Sequence, residues 1–436
     1  MTVRIAIVGS GPSGFYTANA LLRSDTDVEI DVIDRLPTPF GLIRAGVAPD
    51  HQKTKNVQRA YEKTALNEQV TYFGNVDVGR DVSVGELKEL YEAVVLAIGS
   101  PYDRKLGVPG EDKKGVFGSA DFVGWYNGHP DFRDLEPDLN TNAVVVIGNG
   151  NVAIDCARVL VKTPGEMSTT DLATHAAEAI HASPLEDVYM IGRRGPIEAK
   201  FTNVELREMG ELDECTPIID AAQIPEEVPK DMEMNDRDRR LKDRNLGTLR
   251  SFVDADPAGR KRRVHFQFFA SPVEILGSES VEAIRLETTE VRDGRAVGTG
   301  QVYEIPCGIV IPAIGYQGQP LKGVPFDERN GVIENNDGRI SEGLYAVGWI
   351  RRGPTGVIGT NKHDGDRAAE QINKDCSDDG KAGREGLKSL LVSKGVRYID
   401  YPEWQRIDEA EKSAAAEGAP RRKLTRISEM LTVLDG

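Results

Sequence analysis

Val3-Arg4-Ile5-Ala6-Ile7-Val8-Gly9-Ser10-Gly11-Pro12-Ser13-Gly14 decides the fold: an apolar run enters a G-x-G-x-x-G turn, and residues 15–22 continue in a helix-like pattern. In such a turn Gly9 permits the tight reversal, Gly11 lets the backbone approach a pyrophosphate, and Gly14 lets the helix pack closely. The amino end of the helix attracts the phosphates. Asp34 closes a second apolar run, residues 28–33, about 20 residues beyond Gly14, where a carboxylate accepts hydrogen bonds from ribose hydroxyls. Strand, turn, helix and acid in this order read as a dinucleotide-binding βαβ unit.

A second fingerprint follows the apolar run 143–147 and reads Gly148-Asn149-Gly150-Asn151-Val152-Ala153, with alanine in the place of the third glycine. The acid expected after its second strand is missing. Residues 188–191 run instead into Gly192-Arg193-Arg194-Gly195-Pro196. Guanidinium forks bind phosphate at two points where a carboxylate would repel it, so this half is expected to hold a 2′-phosphorylated nucleotide, NADP rather than NAD. The arginines lie roughly 40 residues past Ala153, about twice the usual spacing, and the polar insertion 162–183, with a helix-like pattern at 171–181, accounts for the excess.

The bulk numbers bound the rest. A chain of 436 residues holds two or three domains. Its 39% apolar and 28% charged residues describe an ordinary globular protein, and its net charge of −16 disfavours a nucleic-acid partner. No apolar run approaches the ~20 residues of a membrane span, and the first strand is no signal peptide. An intracellular, cytoplasmic location is therefore expected, or a chain already processed. Cys156, Cys215, Cys307 and Cys376 are dispersed, without any C-x-x-C, which argues against a redox dithiol and against an iron-sulfur cluster of the chain's own. The six histidines give no metal signature, so no metal is expected. Chemistry has to come from bound organic cofactors.

Strand and helix patterns alternate twice, the mark of a doubly wound α/β protein. Residues 94–100, ending in Gly99-Ser100, read as a crossing into the second domain, and their near echo at 308–316 as the return. The expected architecture is two Rossmann-like domains, the second (residues 106–313) inserted into the first (1–105 and 314–436). Within the insertion, residues 235–263 hold ten basic against five acidic residues. Such a reversal of sign suits an acidic protein partner, with Arg237, Arg240 and Arg244 as candidate contacts, although a solvated helix face has the same composition. Apolar clusters at 387–392 and 430–434 read as short packing helices with no chemical signature.

The residues after Asp34 read Arg35-Leu36-Pro37-Thr38-Pro39-Phe40-Gly41-Leu42-Ile43-Arg44-Ala45-Gly46-Val47-Ala48-Pro49-Asp50-His51. With the second fingerprint, Gly192 to Pro196, and Gly348-Trp349-Ile350-Arg351-Arg352-Gly353-Pro354-Thr355-Gly356-Val357-Ile358-Gly359-Thr360, this resembles the adrenodoxin-reductase-type ferredoxin-NADP reductases. The resemblance runs along essentially the whole chain. It implies an FAD domain, an NADP domain, and electron transfer from NADPH through FAD to a small acidic iron-sulfur ferredoxin. By position, Gly9, Gly11, Ser13, Gly14, Asp34, Leu42 and Val78 would contact FAD, with Trp349, Gly356, Val357 and Ile358 closing over the flavin. Asn149, Gly150, Asn151 and Val152 would meet the NADP pyrophosphate, Arg193 and Arg194 the 2′-phosphate, Glu205 the adenosine ribose, and Gly356 the nicotinamide end.

No general acid or base is demanded by hydride transfer. His51 is a candidate for tuning flavin protonation, with Asp155 from the other domain, against a plain packing role. Two alternatives stay open: the NADPH-oxidising module of a glutamate-synthase-like complex, and a non-catalytic FAD/NADP sensor. A monomer is the expected state, since a partner has to dock near the flavin.

Overall fold

The computed structural model of the protein describes residues 2–230 and 232–436. The chain divides into two compact units: residues up to 102, 127–130 and 315–436 make the first, and residues 103–126 and 131–314 the second.

The first unit is built on a six-stranded sheet in the order Arg339–Ser341, Leu344–Ala346, Ala93–Leu96, Val3–Val8, Val28–Ile33, Val70–Phe73. Every pair is parallel except the outermost, Arg339–Ser341 against Leu344–Ala346. Helices cover both faces of such a sheet, so its strands are continuously apolar; Ile5, Ala6, Ile7 and Ala93 to Leu96 are buried. The chain lays its next two strands on one side of Val3–Val8 and the later ones on the other. Strand order thus reverses there, and the carboxyl ends of Val3–Val8 and Ala93–Leu96 flank the crevice in which doubly wound sheets bind ligands. The strand expected at 94–100 stops at Leu96, and Gly99, at φ +70°, turns the chain away.

The helix expected from residue 15 starts earlier, at Pro12–Leu22, because a proline in the first turn lacks only an N–H that would have no partner there. Helix Thr360–Asp375 lies against it so closely that a Cβ on Gly365 would stand 2.8 Å from the Thr17 nitrogen. The tail forms three helices, Gly383–Ser393, Tyr401–Ser413 and Ile427–Asp435. The middle one was not anticipated, although Asp400 and Glu403 form a capping box that the sequence spells out.

Asp31 sits fully buried in Val28–Ile33, accepting from Tyr91 Oη at 2.7 Å and Arg384 Nε at 2.8 Å. Burial raises its carboxyl to about 6, against the opposing pull of the Arg384 guanidinium. The folded state then keeps a proton that the unfolded chain has released, so Asp31 lowers stability as pH rises from about 4 to 6. Urea unfolding across that window should show a loss of up to ~3 kcal/mol in the wild type that is absent from Asp31→Asn.

The second unit holds a five-stranded, wholly parallel sheet in the order Ile309–Pro312, Ala143–Ile147, Asp187–Ile191, Arg262–Gln267, Cys215–Ile219. A separate antiparallel sheet, Ala270–Leu276, Ala283–Arg292 and Arg295–Pro306, accompanies it. The insertion helix expected at 171–181 runs over Thr174–Ala182. Thr170 Oγ1 donates to the Met167 carbonyl and accepts from Leu172 N, which keeps residues 170–172 as a turn. Among the described residues no helix is long and apolar enough to cross a membrane.

Candidate functional site

Each unit carries one glycine turn at the point where its strand order reverses, and the two turns are built alike. In the first, Gly9 N donates to Ile33 O at 2.7 Å and Ala97 N to Val8 O at 2.7 Å. Gly9 adopts φ +110°, and a Cβ there would stand 2.5 Å from Ala97 O. In the second, Gly148 N donates to Ile191 O at 2.9 Å and Ala313 N to Ile147 O at 2.8 Å. Gly148 adopts φ +149°, and its Cβ would stand 2.3 Å from Ala313 O. Both glycines are fixed by the protein's own backbone.

The middle glycines differ in kind. Gly11, at φ −76°, would bring a Cβ near only Gly41 Cα, at 3.9 Å, and Gly150, at φ −116°, near nothing within 4 Å. Nothing inside either unit requires glycine at these two places. Each is the N-cap of a helix, Pro12–Leu22 or Asn151–Val161, and neither helix has a side-chain cap on its first N–H groups. An open cradle without a Cβ, facing uncapped donors, is the surface a pyrophosphate takes.

In the first unit Asp34 is held from three sides: Ser10 N and Oγ donate to Oδ2 at 2.8 and 2.5 Å, and Leu36 N to Oδ1 at 3.0 Å. Its remaining lone pairs suit a diol. A Cβ on Gly14 would stand 2.0 Å from Gly9 O, so the third glycine serves packing. The structure brings Ser13 together with the distant glycine-rich motif: a Cβ on Gly348 would meet Ser13 Oγ at 2.0 Å, and Ser13 Oγ donates to Asn361 at 3.1 Å. Trp349 is half-buried with its ring 5.9 Å from that of Tyr316. Leu42 and Val357 are apolar yet 46% and 69% exposed, and Gly356 turns the loop at φ +85°, its space filled by Thr360. Ile358 packs partly on the core, and Val78 is buried in it. His51 is half-buried at the start of the turn Gln52–Lys55.

In the second unit the Asn149 side chain fills the space over Gly192, and Asn149 O accepts from Lys200 N and Phe201 N at 2.7 and 3.2 Å. Asn151 Oδ1 accepts from Thr202 N at 2.8 Å, and Val152 is half-buried beside it. Because Ala143–Ile147 and Asp187–Ile191 are paired in register, Arg193 and Arg194 emerge beside the glycine turn. Arg193 is exposed, and among the described residues its side chain has no ion pair; Arg194 Nη1 donates only to Gly294 O, at 3.3 Å. Their own carbonyls accept from Thr289 and Phe269, which fixes the backbone while the guanidiniums stay available.

Sequence reasoning missed Arg158. It is fully buried on Asn151–Val161, with Asp155 at 2.9 Å, Glu205 at 3.3 Å and Glu208 at 3.4 Å. Glu205 and Asp155, singled out separately, thus share one buried cation. That cation ties helix Asn203–Glu208 to the helix that starts at the glycine turn. A three-residue spacing between Asp155 and Arg158 was the only local signal.

Arg237, Arg240 and Arg244 lie on one face of Asp236–Val253, exposed, while Leu246, Leu249 and Phe252 are buried on the other. Much of the remaining basic span is spent internally. Arg239 donates to the carbonyls of Val228, Pro229 and Met232, Arg260 to Cys215 O, and Arg262 to Leu160 O; Arg263 pairs with Asp187. All four cysteines are free, and burial raises the Cys215 and Cys307 thiols to about 12.

A profile of the pyridine nucleotide-disulphide oxidoreductases matches residues 3–205. The chain is 42% identical to the NADPH-ferredoxin reductase FprA of Mycobacterium tuberculosis, over 98% of each chain. It is 39% identical to the mitochondrial NADPH:adrenodoxin oxidoreductases of Arabidopsis thaliana, over 98% of this chain and 95% of that one, and of Bos taurus, over 99% and 92%. The solved structure of Mycobacterium tuberculosis FprA in complex with NADPH superposes with a TM-score of 0.95 at 41% identity, covering 100% of both chains.

Proposed function

The chain belongs to the NADPH-ferredoxin and NADPH:adrenodoxin reductases, and from that membership we propose that it moves reducing equivalents from NADPH to an iron-sulfur ferredoxin, with FAD as resident cofactor. The observation that carries this reading is the pair of vacant glycine positions, Gly11 and Gly150, each at an uncapped helix start. When bound, FAD supplies a ring that accepts two electrons from a nicotinamide and releases them singly.

We assign FAD to the first unit and NADPH to the second. Gly9, Gly11 and Gly14 shape the pyrophosphate turn, Asp34 accepts from a ribose, and Ser13 supports the turn against Gly348. Leu42, Trp349, Val357 and Ile358 offer apolar surface of the kind a flavin ring needs, Val78 is assigned to the FAD site from within the core, and Gly356, at φ +85°, turns the loop assigned to the nicotinamide end. In the second unit the N–H groups following Gly150, with Asn149, Asn151 and Val152, receive the nicotinamide nucleotide's pyrophosphate. Arg193 and Arg194 take its 2′-phosphate by charge-assisted forks. Glu205, anchored by Arg158, is assigned to the adenosine ribose. His51, in the first unit, is the group we assign to tuning flavin protonation, while Asp155 is held by the buried Arg158. Arg237, Arg240 and Arg244 present a positive face on a chain of net charge −16, suited to an acidic ferredoxin that docks on a monomer. The four cysteines are unpaired and dispersed in sequence, three of them buried and Cys376 partly exposed, which argues against a redox dithiol of the kind disulfide reduction uses. Free thiols also suit a reducing compartment such as the cytoplasm.

Anaerobic titration of the yellow protein tests this reading. NADPH should bleach the flavin band within the mixing time of a turnover, and NADH should do so far more slowly. A protein that holds flavin but is not bleached by NADPH would be a sensor rather than a reductase.

A further inference from the structure

The loop that leads from Asp34 toward Leu42 contains an aromatic residue in a conformation that side chains rarely adopt. Phe40 lies at φ +82° and Gly41 at φ +48°. A bulky residue at positive φ persists only where its surroundings hold it. Phe40 N donates to Ser10 O at 3.0 Å, and a Cβ on Gly41 would stand 3.0 Å from Gly11 Cα. The strained turn therefore lays this loop against the pyrophosphate turn of the first unit and leaves Leu42 exposed beyond it.

Phe15 and Tyr61 pack on the Phe40 ring, 5.6 and 6.3 Å between centroids, and the far end of the chain adds the remaining contacts. Trp404 stands edge-on to the Phe40 ring, 6.1 Å between centroids, and the Arg44 guanidinium lies 5.4 Å from the centre of the Trp404 ring. Arg44 Nη1 and Nη2 donate to both oxygens of Glu411, at 2.8 and 2.5 Å. Glu411 is fully buried and also accepts from Arg421 Nη1 at 3.1 Å and Leu424 N at 2.8 Å. Lys423, itself buried, donates from Nζ to Arg44 O and to Asn127 O, each at 3.0 Å. Arg44 is thus gripped at its guanidinium by one tail residue and at its carbonyl by another. A tail that only covered apolar surface would not need a buried carboxylate shared between two arginines, since burying charge is an inefficient route to stability. Such a network does fix a single arrangement of the chain.

We propose that residues 401–424 are a clasp that sets the 40–45 loop for flavin retention, with Glu411, Trp404 and Lys423 as positioning residues. The inference rests on the assignment of FAD to the first unit and names the element that controls that site. The test is FAD uptake by the deflavinated full chain, followed by flavin fluorescence, for the wild type, Glu411→Gln, Lys423→Met and Arg44→Met. Glu411→Gln and Lys423→Met should each raise the FAD dissociation constant at least tenfold and blur the fine structure of the flavin visible band. Glu411→Gln combined with Arg44→Met should lose less than the product of the two single losses, because both break the Arg44–Glu411 pair. Should Glu411→Gln fail to fold, Lys423→Met carries the test alone. Folded variants that bind FAD within twofold of the wild type, with an unchanged band, would overturn the clasp. A wild-type chain that takes up no FAD would overturn the assignment beneath it instead.

Discussion

The double variant Arg193→Gln, Arg194→Gln should lose about 100- to 10,000-fold in kcat/KM for NADPH while NADH turnover changes little. Each charge-assisted hydrogen bond to phosphate is worth about 1.5–3 kcal/mol, and two together make about 3–6 kcal/mol. The loss should appear in KM, with kcat at saturation nearly unchanged, because the 2′-phosphate is held equally in ground and transition states. The fold should survive: among the described residues Arg193 is exposed without an ion pair and Arg194 donates only to Gly294 O. Steady-state kinetics with both nucleotides decides the matter. A variant that still prefers NADPH by the wild-type margin would place the 2′-phosphate elsewhere.

Gly11→Ala and Gly150→Ala should each yield a folded protein that has lost one nucleotide. Space is free at both positions and their φ angles suit any residue, so the chain itself pays nothing for the methyl group. The lower entropy of the unfolded alanine chain should even raise stability by about 0.4–1 kcal/mol. A methyl in the cradle keeps phosphate oxygens off the helix N–H groups, costing one or two bonds of about 1.5–3 kcal/mol each. Gly11→Ala should therefore purify with little flavin, and Gly150→Ala should hold flavin but show a KM for NADPH raised about 10- to 10,000-fold. Gly9→Ala and Gly148→Ala are the contrast. There the new atom strikes Ala97 O or Ala313 O, and the unit itself should be destabilised. Denaturation midpoints beside flavin content separate the two classes. If Gly11→Ala proved as unstable as Gly9→Ala, the cradle argument would fail.

Local patterns carried most of the fold. Apolar strands running into glycine turns give the core of both parallel sheets, because each feature lies within one βαβ unit. What escaped was long-range. Arg158 reads as a surface charge on an amphipathic helix until Glu205 and Glu208, on another helix, close around it. The tail carries no motif because its chemistry lies in pairs such as Arg44 with Glu411, 367 residues apart. Within the basic span Arg260 and Arg262 turn inward to the distant carbonyls of Cys215 and Leu160, and Arg263 to Asp187, which composition cannot reveal. The antiparallel sheet of the second unit was legible but unread. Asp293 and Gly294, at φ +50° and +72° between two strands, form the turn that an Asp-Gly pair announces.

The most direct test of the reductase account is NADPH-dependent cytochrome c reduction by the purified protein, with and without an added acidic iron-sulfur ferredoxin. The account predicts strong stimulation by ferredoxin that weakens as salt screens the Arg237, Arg240 and Arg244 face, and little rate with NADH. Flavin reduction by NADPH without any stimulation by ferredoxin would contradict it.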